Sequence, residues 1–209
     1  MKARSAAVGA LLILAIAVAG CTSERVYPTP PEHVQFPART GPRIVVSNIM
    51  LAYEEMIAEG YLDCLSEDFV FYPAEEDAND PEVEIPPEWY KTTESDIHWN
   101  MFSEDSGVES ISLAVTVMDS EFMTGNPVDP ADDVWGYTLG VDLRVDLADS
   151  LHLVATSPCE IRMRIDQDQQ GLDGEALWEI YGWYDLGGRG ESPGQEMSWG
   201  RIKARFRDS

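Results

Sequence analysis

The chain is 209 residues long and carries 38 Asp and Glu against 14 Lys and Arg, a formal charge of −24. A surface of that sign repels phosphate backbones and anionic headgroups, which excludes nucleic acid as a partner. The length suits one well-filled core and is short for two.

The first element in chain order is an export signal. Lys2 and Arg4 precede an apolar run from Ala6 to Ala19 that is too short to span a bilayer, and small residues lead into Cys21. Val18-Ala19-Gly20-Cys21 resembles the lipobox of bacterial lipoproteins. The resemblance implies cleavage before Cys21, a lipid on that cysteine and extracytoplasmic attachment to a membrane through it. Thr22 stands where an aspartate would direct inner-membrane retention, so the outer membrane is the expected home in a cell with two membranes. Residues 21–42 are polar and interrupted by Pro28, Pro30, Pro31, Pro37 and Pro42, the composition of a semi-rigid tether. Residues 43–209 are then the folded domain, and 1–20 the signal peptide.

Within the domain, Ser47 is a candidate cap for a helix in which Ile49, Ala52, Tyr53, Met56 and Ile57 share one stripe. Gly60 interrupts that pattern. Tyr61, Leu62 and Leu65 resume it, which predicts two helical segments with a bend, followed by a short strand at 69–71. The acidic, proline-rich stretch 73–87 reads as a loop. The dense carboxylates of residues 54–96, among them Glu75, Glu76, Asp77, Asp80, Glu82, Glu84 and Glu88, read as a solvated face rather than a cation site. Thr93 followed by Asp96 starts another short helix bearing Ile97, Met101 and Phe102.

After Gly107 the apolar period changes from helical to alternating. Ile111, Leu113, Val115 and Val117 line one strand, and Trp135 to Leu147 is the clearest alternation in the chain. Strands from Leu151 to about Asp166 and from Glu175 to Asp185 follow, with Pro158 marking a bulge, bend or unpaired edge. A loop at 119–133 and a glycine-rich loop at 187–194 separate elements, and a last strand is predicted over 198–206. Helices first and an antiparallel meander after them predict an α+β domain with helices on one face of a curved sheet.

Ala52-Tyr53, Tyr61-Leu62, Leu65 and Asp68-Phe69-Val70-Phe71, with the later Trp178-Glu179-Ile180-Tyr181-Gly182-Trp183, resemble the NTF2-like superfamily, which includes ketosteroid isomerase and the SnoaL-like cyclases. The resemblance covers roughly residues 45–206. It implies a bent N-terminal helix and a short helix packed on a mainly antiparallel sheet that curls into a cone, with a cavity at the cone's mouth. One such scaffold hosts enzymes, binding modules and oligomerisation domains, so residues must decide the function.

An isomerase-like reading needs a carboxylate and a hydrogen-bonding tyrosine in an apolar pocket. Tyr53 and Asp185 are the pair nominated by position, with His98 third. Each has an ordinary reading too: Tyr53 as core with its hydroxyl at the rim, Asp185 as a strand end, and His98 as a helix-surface partner of Glu94 one turn earlier. Tyr53, Met56, Trp99, Tyr137, Trp178, Tyr181 and Trp183 are the candidate pocket lining. His33, His98 and His152 stand apart without ligand spacing, so no metal and no cofactor is expected. With Cys21 taken by lipid, Cys64 and Cys159 are either a disulfide or two separately buried thiols. Arg162, Arg164, Arg201, Lys203 and Arg205 gather scarce positive charge, either balancing the acidic surface or forming a basic groove.

The reading that best joins these features is a lipid-anchored cell-envelope protein whose domain binds a small apolar ligand or a protein partner without catalysis. A SnoaL-like or isomerase-like enzyme using an acid and a tyrosine is the alternative, and a purely structural envelope protein the second. A homodimer is left open.

Overall fold

The computed structural model describes residues 34–81, 84–124, 133–148, 150–187 and 197–207. The expected export signal, Cys21, most of the expected tether and most of the glycine-rich loop lie outside these. Helix α1 (Pro42–Glu54) is followed by α2 (Ala58–Leu62), β1 (Leu65–Tyr72), α3 (Glu75–Ala78), β2 (Trp89–Tyr90) and α4 (Lys91–Met101). Four long strands come next, β3 (Val108–Thr124), β4 (Asp133–Leu147), β5 (His152–Gln170) and β6 (Ala176–Asp185), and then α5 (Trp199–Arg205). The described fold is α+β, as the switch of period after Gly107 predicts.

The sheet order is β2-β1-β6-β5-β4-β3. Strands β3 to β6 form the antiparallel meander, β2 adds antiparallel to β1, and β1 joins β6 in the one parallel pairing among the described residues. Alternation fixes which face is buried: Tyr137, Leu139, Val141, Leu143 and Val145 point inward, whereas Asp142 and Arg144 point to water. Helix α1 lies against β3 and β6, α4 against β1, and α5 against β5 and α4, so the helices cover the apolar face. Pro158 sits inside β5, opposite Gly140 of β4. Its carbonyl accepts from the Leu186 N–H at 3.1 Å, just beyond the end of β6, so its missing N–H faces the side where pairing has stopped.

Local chemistry corrects the expected helix boundaries. Helix α1 begins at Pro42 in its first turn, and the Ser47 hydroxyl donates to the Arg43 carbonyl instead of capping. The bend falls at Met56, not Gly60: Met56 adopts a left-handed φ of 51°, with Ile57 N–H bonded to Ala52 O and Met56 N–H to Tyr53 O. That is the two-bond helix stop usually built on glycine. Gly60 serves a different need, because a Cβ there would lie 2.1 Å from the Phe36 ring that packs on it. Within the expected loop 73–87, Glu75–Ala78 forms one helical turn.

The largest correction is the C-terminus. The segment predicted as a strand over 198–206 is helix α5. Trp199, Ile202, Lys203 and Phe206 are all buried, at helical spacings of three and four. Ser198 caps the helix by accepting from the Arg201 N–H at 3.0 Å. The disulfide weighed for Cys64 and Cys159 is also absent, and both are buried free thiols. Cys64 bonds β6 at Ile180 through its carbonyl, whereas Cys159 pairs with Asp185. Five strand residues span about 16 Å, well beyond the Cα separation of about 7 Å that a bridge tolerates.

Candidate functional site

The interior between helices and sheet holds a polar cluster. Glu94 on α4 is fully buried, and its carboxylate accepts from the Tyr61 hydroxyl of α2 at 2.5 Å and the Trp89 indole N–H of β2 at 2.5 Å. The Lys203 ammonium of α5, 1% exposed, donates to the same carboxylate and lies 3.4 Å from the Tyr61 oxygen. Four rings enclose that ammonium: Phe71 with its centroid at 4.2 Å, Trp183 at 5.1 Å, Trp199 at 5.5 Å and Tyr61 at 5.7 Å. Ring faces are negative and favour a desolvated cation, so the cage supplements the carboxylate.

His98, one turn along α4 from Glu94, extends the cluster. Its Nδ1 lies 2.8 Å from the Glu94 carbonyl, so it carries the proton, and its Nε2 accepts from the Tyr53 hydroxyl at 2.7 Å. Its ring stacks on Tyr61 at 3.8 Å and meets Tyr53 and Phe102 edge-on. Burial lowers the His98 pKa to about 4 against the opposing pull of Glu94, so the ring is neutral at physiological pH. Burial also works to raise the Glu94 carboxyl, but the Lys203 charge, with His98 and the Tyr61 hydrogen bond, outweighs it and holds the group below the ordinary range. Burial pushes Lys203 down, opposed by Glu94. Tyr53 and Tyr61 are pushed well up, by burial first and by Glu94 second, and stay protonated.

Of the residues nominated from sequence, Tyr53 and His98 come together. Asp185 does not join them. It is buried at the end of β6, where it accepts from the Gly200 N–H at 2.9 Å and the Gly187 N–H at 3.1 Å, fastening the start of α5. Burial raises its pKa, and the two backbone donors oppose the rise. Trp183 forms a wall of the ammonium cage, and Tyr137 faces inward on β4. Met56 is the left-handed corner, Trp99 and Trp178 are half-buried at the core margin, and Tyr181 lies under the Arg164 guanidinium.

Sequence reasoning missed Glu94, Tyr61, Trp89 and Lys203 as a unit. The available signal was the spacing of Lys203 with Trp199, Ile202 and Phe206, which places a lysine on an apolar helical stripe. The five basic residues do not all share one groove, although Arg201 and Arg205 line the same one beside α5. Arg162 pairs with Glu160, Arg164 with Asp68 and Glu179, Arg201 with Asp77 and Asp80, and Lys203 turns inward. The acidic loop is thus in part a receptor for α5: Asp77 also accepts from the Ser198 hydroxyl. A groove of about 380 Å3 beside α5, lined by Glu84, Ile85, Met197 and Ala204 with Arg201, Arg205 and Arg207, opens to solvent outside the cone.

Tyr53, Tyr61, Glu94 and His98 each have 0% exposure, so the cone is closed by its own side chains. Within the cluster the polar groups of Tyr53, Tyr61, Trp89, Glu94, His98 and Lys203 are each engaged by a neighbour, whereas the Trp199 indole N–H is buried without an acceptor. Among the described residues no group of three or more His, Cys, Asp or Glu is placed to hold a metal, and no helix is long and apolar enough to cross a membrane.

No protein-family model and no curated protein matches the chain. Solved structures do. A candidate aromatic ring hydroxylase from Novosphingobium aromaticivorans is similar at 10% identity and a TM-score of 0.47, over 72% of this chain and 89% of that one. An NTF2-like protein of unknown function in nutrient uptake from Rhodospirillum rubrum is similar at 12% identity and a TM-score of 0.45, over 68% and 93%. A candidate calcium/calmodulin-dependent protein kinase type II association domain from Thiobacillus denitrificans is similar at 10% identity and a TM-score of 0.44, over 71% and 95%. At this identity and overlap the likeness is to fold alone.

Proposed function

We propose that this protein is a lipid-anchored component of the cell envelope, held by Cys21, whose NTF2-like domain works by binding and not by turnover. The observation that carries the second half is the closed polar cluster. An acid–base enzyme needs a general acid or base within reach of a substrate atom. Tyr53 and His98 are bonded to each other, His98 also to backbone, and Glu94 is held by three donors, all away from solvent. Asp185 is occupied with the backbone of α5. The charged interior also disfavours a purely apolar guest, because such a guest would leave Glu94 and Lys203 desolvated without replacing their partners.

Mass spectrometry of the protein purified from membranes, beside a Cys21→Ser variant, tests both halves. The expected result is an acylated Cys21 in the wild type, release of the variant into the soluble fraction, and a reproducible protein or small molecule that co-purifies with both. An unmodified N-terminus would overturn the anchor. Chemical conversion of that co-purified molecule by the protein would overturn the non-catalytic reading.

A further inference from the structure

Building on the reading of a binding domain, we propose that the cone is a site for a primary ammonium on an unbranched alkyl chain. Lys203 of α5 is its intramolecular occupant, and a ligand of that class replaces it.

Most of the site exists without α5. Glu94 comes from α4, Tyr61 from α2, Phe71 from β1, Trp89 from β2 and Trp183 from β6. Tyr61 and Trp89 already orient the carboxylate by hydrogen bonds that do not involve α5. What α5 adds is the cation itself and one further ring, Trp199. The cup is therefore built by the body of the fold, and α5 stands to it as guest to host.

The closed state is a poor design for stability alone. A buried ion pair gains little over well-packed apolar side chains, because desolvating both charges offsets their attraction. The Trp199 indole N–H is also buried without an acceptor, and such a group weakens the docked helix. The rest of the docking combines the apolar burial of Trp199, Ile202 and Phe206 with polar contacts: Arg201 meets Asp77 and Asp80, and Asp185 takes the Gly200 N–H. The polar contacts specify where α5 sits, and a ligand that replaces Lys203 must also fill the apolar volume the helix leaves.

The same helix sets what a replacement must bring. Trp199, Ile202 and Phe206 are buried with Lys203, so a bare ammonium would leave their volume empty. An alkyl chain refills it, and its terminal ammonium satisfies Glu94. A neutral alcohol of equal length fills space but leaves the carboxylate unpaired.

The full chain carrying Lys203→Ala tests the site directly, since n-propylammonium restores the three carbons and the nitrogen that the substitution removes. Its melting temperature is expected to rise by roughly 5 °C at about hundredfold excess over Kd, with n-propanol giving no comparable rise. Equal responses to the two probes, or none to either, would overturn the ammonium assignment.

Should Lys203→Ala fail to fold, the wild type answers through hydrogen exchange. n-Hexylammonium is expected to speed exchange of the α5 amides several-fold while those of β4 and β5 hold, and n-hexanol is not. Unchanged α5 exchange would overturn replacement by a ligand. A co-purifying partner from a Lys203→Ala protein blind to ammonium would sink this proposal and leave the binding reading standing.

Discussion

His98 makes the stability of this domain depend on acid in a way that can be calculated. Its ordinary pKa is 6.5, and burial lowers it to about 4 in the folded protein. A group depressed on folding binds its proton first in the unfolded state, so stability is full above pH 6.5 and is lost as pH falls toward 4. Integrated between pH 7 and 4.5, the loss from this one ring is about 2.5 kcal/mol. Glu94 and Asp68, both held below the ordinary range, lose stability in the same direction at lower pH, whereas Asp185 and Glu179, both raised, run the opposite way. The measurement is therefore a difference. Urea unfolding at pH 7, 6, 5 and 4.5 is compared between wild type and a Tyr53→Phe/His98→Phe double variant, which removes both members of one hydrogen bond and strands neither. The gap between the curves should change by about 2.5 kcal/mol across that range, in favour of the variant as acid is added. Parallel curves would refute a neutral, desolvated His98.

Two further predictions follow from the same interior. Lys203→Met leaves a buried carboxylate unpaired and should cost about 3–5 kcal/mol at pH 7, as should Glu94→Gln, whereas the double variant should cost less than either sum implies, with a coupling of about 2 kcal/mol or more; additive losses in chemical denaturation would show that the pair does not act as a unit. Burial pushes the thiols of Cys64 and Cys159 up to about 12, so neither should react with a thiol reagent in the native protein and both should react in denaturant. A mass two hydrogens lighter than the reduced chain would refute the free thiols.

Much of the architecture is legible from residue order because its determinants are local. Alternation along Trp135–Leu147 requires a strand with one wet face, and the observed strand spans Asp133–Leu147. Ile97 and Met101 are buried on α4, as their spacing predicts. The errors arise where short segments carry mixed signals. Residues 198–206 alternate weakly enough to pass for a strand, and only the presence of a core against which Trp199, Ile202 and Phe206 can pack selects the helix. The Met56 corner shows the same thing at one residue: the two hydrogen bonds closing α1 outweigh the preference for glycine there.

What the sequence determines by itself about this protein is its class and its electrostatic character: an acidic chain whose folded part is an α+β domain with helices before a meander. These rest on composition and short-range periodicity, which need no knowledge of what touches what. The candidate site is decided by tertiary structure alone. Glu94 and Lys203 are separated by 109 residues, and each reads in isolation as a surface charge. Only the curl of the sheet and the packing of α5 across it bring them into one desolvated volume, where the carboxylate and four aromatic rings give an ammonium a place that water would otherwise supply.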